Sequence, residues 1–84
     1  MNRSAIETAY CFLHQKHRVY VHSSLDWQRD DIEVIIGNFS SEMDPELYAL
    51  LSGGDNDYLR SHSRFASDLS DAVDKLERLL FPAS

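Results

Sequence analysis

Four histidines and one cysteine are the side chains in this sequence best suited to hold a metal ion or move a proton near neutral pH. Cys11, His14 and His17 recur every three residues, and His22 lies a little beyond. On a helix, positions three apart are neighbours, so His14 and His17 can share an ion, and the soft sulfur of Cys11 would suit zinc. Six positions, however, turn a helix through about 240°, so Cys11 and His17 converge poorly. With no second cysteine and no other paired-ligand motif, ordinary surface or boundary histidines are the plainer account. No metal or other cofactor is expected.

His17 and His62 form a different pair. Each stands where a hydrophobe would continue an apolar stripe, one near the start of the chain and one in its last third. If those segments pack together, the two imidazoles can meet, giving a pH-responsive contact or part of a ligand site. The alternative is two boundary histidines bonded to a neighbouring Tyr or Asp, with the interrupted stripe fixing register between helices.

Carboxylates are the third group. Asp26, Asp30 and Glu33 sit three or four residues apart, as do Asp68, Asp71 and Asp74, so each set shares a helix face. Such pairs can bind a divalent cation or share a proton, but neither follows a calcium-loop spacing, and solvated helix faces explain both. Asp71–Lys75 and Asp74–Arg78 read as helical ion pairs. Ser40, Ser41, Ser61 and Ser63 have no evident base and orienting partner. Gly53-Gly54 is followed by acids that would repel a phosphate. No enzymatic activity is expected. Trp27 fits a core residue first and a partner-facing anchor second.

The elements that must position these groups are helical. Ser4-Ala5-Ile6-Glu7 has the form of a capping box, and Ile6, Tyr10, Leu13, His17 and Tyr20 follow at spacings of 4, 3, 4 and 3. They predict a helix over residues 5–20. A second helix starts near Ser23-Ser24-Leu25-Asp26 and carries Ile32, Ile35, Ile36, Phe39 and Met43. Its β-branched residues and Gly37 argue instead for a hairpin pairing residues 18–22 with 32–36. The helix is favoured because the stripe runs past strand length. Gly37 then marks a possible close approach of another backbone.

Asp44-Pro45-Glu46 starts a short third helix carrying Leu47, Leu50 and Leu51, and Gly53-Gly54 stops it. With Asp57, or Asp55 before it, as cap, Tyr58, His62, Phe65, Leu69, Ala72, Leu76 and Leu79 mark a fourth helix that Pro82 ends. It would be about 25 residues and ~37 Å long. The fold class is therefore all-α, a small three- to four-helix bundle with a long C-terminal helix, forming one domain over residues 1–84.

Size and charge limit the function. A core this small contributes ~3–5 kcal/mol net, and a ~37 Å stripe exceeds a compact diameter of roughly 30 Å. A two-fold homodimer that covers the stripe is the favoured outcome; a monomeric bundle with a bend near His62–Ser63 is the alternative. The net charge is −6, but residues 1–22 carry +2 and residues 23–84 carry −8. That surface disfavours direct nucleic-acid binding. One cysteine, no secretion signal and no apolar run approaching the ~20 residues of a membrane span point to a cytoplasmic protein.

The expected function is a protein–protein interaction module, self-associating or docked to a larger partner, through Tyr58, Phe65, Leu69, Leu76 and Leu80, with Trp27. One alternative is an acidic imitation of nucleic acid that blocks a basic protein site. The other is metal binding through His14, His17 and Cys11.

Overall fold

The computed structural model of the chain describes residues 2–82. It is all-α: α1 (Arg3–His22), α2 (Asp26–Glu42), α3 (Pro45–Ser52) and α4 (Phe65–Leu80), with a 3-10 turn at His62–Arg64. Among the described residues there is no strand, so the hairpin alternative falls. Nor is any described helix long and apolar enough to cross a membrane.

α1 starts two residues before its predicted start. Asn2, not Ser4, is the cap, accepting the Ser4 N–H at 2.8 Å. The helix then runs unbroken through Val19 and Val21 to His22. At the following turn, Ser23 accepts the Leu25 N–H and donates to Gln28 Oε1 at 2.6 Å, tying the corner to the first turn of α2. α2 tolerates Gly37, whose carbonyl accepts hydrogen bonds from Ser40 and Ser41. A Cβ at Gly37 would meet nothing within 4 Å, so no other backbone lies against it. α3 follows its sequence signals closely. Asp44 accepts the Glu46 N–H, Pro45 opens the helix, and Gly53 closes it in the left-handed conformation at φ 64°.

The segment after α3 departs from the predicted rod. α4 is 16 residues, not about 25, hence roughly 24 Å long. Residues 55–60 fold into successive turns: Asp55 accepts the Asp57 N–H on its side chain, and the Tyr58 and Arg60 N–H groups bond Asp55 O and Asp57 O. Leu59 takes φ 63°, a left-handed conformation costly for a residue with a Cβ. Its N–H is bonded to the Asp68 carboxylate at 3.1 Å. Asp68 is thus buried, not part of a solvated face. The break the sequence allowed near His62–Ser63 is present as the 3-10 turn, and the helical path N-terminal to it is absent.

With the rod shortened, the chain covers its own stripe. Phe65, Leu69, Ala72 and Leu76 join Leu13, Ile36, Leu47, Leu51 and Leu59 in one continuous core. α1 lies chiefly against α4 and more lightly against α2. Phe12 of α1 stacks on Phe39 of α2 with ring centroids 4.3 Å apart, and Tyr20 meets Phe65 at 5.2 Å. The radius of gyration is 12.3 Å, close to the ~12 Å of a compact monomer of this length.

Candidate functional site

Helical spacing decides which side chains α2 sends outward. Ile32, Ile36 and Ser40, four apart, are buried. Val34 lies two positions from both isoleucines, about 200° around the helix, and Trp27 lies two turns before Val34 on the same side. The outcome is an outer face on which Trp27 is 63% exposed, Val34 64% and Ile35 40%. Asp31 sits on that face between Trp27 and Val34, with Asp30 beside it, and both are exposed.

Beside this face is a cleft of about 440 Å³ lined by Tyr20, Asp26, Arg29, Asp30, Glu33 and His62. α2 supplies Asp30 and Glu33, one helical turn apart. The 3-10 turn supplies His62, whose Nδ1 lies 2.8 and 3.1 Å from the two Glu33 carboxylate oxygens. Among the described residues, Asp30, Glu33 and His62 bring three ligand atoms within 4.8 Å of one another. The hydrogen bond and negative charge of Glu33, reinforced by Asp30, raise the His62 pKa above its ordinary 6.5. Arg29 leans over the Tyr20 ring at 5.5 Å. Burial, then the charge of Glu33, raises the Tyr20 phenol.

A separate polar network fastens α3 to α4. The Tyr58 hydroxyl donates to Asp71, Lys75 pairs with Asp71, and Lys75 also donates to Leu51 O at the end of α3. Burial opposes ionisation of Asp71, but the bonds from Lys75 and Tyr58 outweigh it and hold its carboxyl below the usual range. Tyr58, buried and facing that carboxylate, is raised well above an ordinary phenol.

The residues singled out by the sequence are redistributed. Tyr58, Phe65, Leu69, Leu76 and Leu80 are all buried within the chain's own fold, because the turns at 55–60 bring Tyr58 and Leu59 back over α4. Of the six expected contact residues, Trp27 is the exposed one. His17 and His62 occupy different settings: His62 reaches α2, while partly buried His17 stays on α1. Burial, then the charge of His14, lowers the His17 pKa. Cys11 is exposed, and Cys11, His14 and His17 assemble no three-donor group among the described residues. In the other acidic set, Asp68 is turned inward, while Asp71 and Asp74 are paired with Lys75 and Arg78.

Comparison with protein-family models, curated proteins and solved structures finds no match to this chain.

Proposed function

We propose that the protein is a docking module that binds another protein through the outer face of α2, with Trp27 as anchor. The carrying observation is that Trp27 and Val34 remain nearly two-thirds exposed on the side of α2 opposite the core. A buried tryptophan at the centre of a contact supplies much of its free energy. The neighbouring carboxylates set the chemistry of the partner: an apolar pocket with a cationic rim.

The same charge argues against self-association through this face. A two-fold contact would set Asp30 and Asp31 of one copy against the acids of the other. The motive for a dimer, an apolar stripe longer than the molecule, is also gone because the stripe lies in the core. The nucleic-acid-imitating alternative loses support too, since Asp68 is buried, and the exposed Asp71 and Asp74 are each neutralised by a cation of α4 rather than left as a row of free charges.

The test is site-specific photo-crosslinking in the native host, with the reactive group at position 34 or, as control, at exposed Glu46. A discrete product from position 34 alone, abolished by Trp27→Ala and weakened by salt, is the expected result. Equal products from both positions, or products indifferent to Trp27→Ala, reject the docking face.

A further inference from the structure

We propose that Asp30, Glu33 and His62 form a binding site for a divalent transition-metal cation of the zinc class. The proposal stands apart from the docking face, which rests on Trp27 and Val34. Its basis is convergence. His62 lies 29 positions from Glu33 in the sequence, so helical periodicity does not explain their meeting. The turns at 55–60 and the 3-10 turn at His62–Arg64 bring the imidazole back onto α2. There its Nδ1 is aimed at both oxygens of one carboxylate, with an Asp30 oxygen in the same group of donors.

The geometry is near what an ion needs. Donors about 2.0–2.2 Å from zinc lie roughly 3.4 Å apart in a tetrahedron. The Nδ1–Oε1 separation of 2.8 Å must open by about 0.6 Å to reach that. The Glu33 side chain is only 16% exposed and is therefore held, whereas the His62 side chain is 85% exposed and has room to adjust. The 440 Å³ cleft leaves space for water at the remaining positions.

Charge balance favours a cation as well. Asp26, Asp30 and Glu33 line the cleft against Arg29 and His62, and among the described residues Arg29 makes no ion pair with any of these acids. On binding, the Nδ1 proton of a doubly protonated His62 passes to solvent and Nε2 keeps its own. The nitrogen donor separates this site from calcium and magnesium sites, which are built from oxygen.

The experiment is a Zn²⁺ titration of the whole chain, read by calorimetry and by the ¹⁵N-imidazole resonances of all four histidines. Saturation at one ion per chain is expected, with the His62 resonances moving and those of His14, His17 and His22 nearly still. Glu33→Gln and His62→Ala should each weaken binding by about 10–100-fold or more. The exposure of His62 makes the second variant a safe test should the first fold poorly. A His14→Ala/His17→Ala double variant should bind as the parent does. Zinc shifting His14 or His17 instead, unchanged affinity in His62→Ala, or no saturable binding would each overturn the assignment.

Discussion

The carboxylate of Asp68 accepts the backbone N–H of Leu59 at 3.1 Å, joining the first turn of α4 to the residue where the chain bends back. Leu59 is fully buried and left-handed at φ 63°. Its conformation costs about 1–2 kcal/mol; burying a leucine side chain contributes about 1.5–3 kcal/mol in return, and the Asp68 bond satisfies the N–H that the bend would otherwise strand. Together with the Arg64–Asp55 ion pair at 2.8 Å, this contact holds the bend that precedes the last helix.

Asp68→Ala should therefore destabilise the fold by about 1–3 kcal/mol, the cost of a buried donor without a partner. Asp68→Asn, which keeps an acceptor oxygen, should lose less. Urea denaturation measures both. A midpoint for Asp68→Ala indistinguishable from the parent would refute this account of the bend.

His62 and His17 should titrate on opposite sides of 6.5 in the metal-free protein, His62 above and His17 below. Because the folded pKa of His62 is raised, its contribution to stability is full below the unfolded value and fades as pH rises through the folded one. For His17, lowered on folding, stability is lost as pH falls from the unfolded value through the folded one. Histidine NMR titration reads both midpoints. Glu33→Gln should remove most of the upward shift of His62 and leave His17 in place; a His62 midpoint at or below 6.5 would contradict its pairing with Glu33, and a His17 midpoint at or above 6.5 would contradict its burial.

Gly37→Ala should stabilise the protein by about 0.5–1 kcal/mol, because glycine inside a helix is that much poorer than alanine. The added methyl meets nothing within 4 Å. Thermal unfolding should show a raised midpoint, and a lowered one would mean that the flank of α2 is occupied.

Trp27→Ala combined with Val34→Ala should change folding stability by no more than about 0.5 kcal/mol, as expected at exposed positions. Binding to a protein captured at position 34 should fall at least about tenfold, roughly 1.4 kcal/mol. Ile36→Ala, two positions from Val34 but on the opposite, fully buried side of α2, should cost about 2–5 kcal/mol in stability. A double variant as unstable as Ile36→Ala would show that Trp27 and Val34 belong to the core.

What the sequence discloses depends on how local the deciding interaction is. α3 is legible to the residue because Asp44, Pro45 and Gly53 each act on their nearest neighbours. The beginning of α4 is not. Tyr58 and His62 keep the helical period, yet the bend is settled by Leu59 and Asp68, nine positions apart, and by Arg64 pairing with Asp55 at 2.8 Å. The parts of the candidate metal site are legible, since Asp30 and Glu33 share a helix face and His62 interrupts an apolar stripe. Their meeting depends on the path between α3 and α4, which periodicity does not encode. Trp27 is legible only in part for a related reason: a tryptophan suits a core as well as a contact, and the inward orientation of Ile32 and Ile36 is what turns it outward.

The contact of Tyr20 with Phe65, ring centroids 5.2 Å apart, fastens the end of the first helix to the beginning of the last. Everything between them is a closed ring of chain, and the entropy of closing it grows with the logarithm of its length. Local coiling of α2 and α3 inside that ring leaves the outer helices unjoined. A few extra residues in the 53–61 stretch should accordingly slow refolding only slightly while leaving each helix intact, because each doubling of the ring costs only about 0.6 kcal/mol.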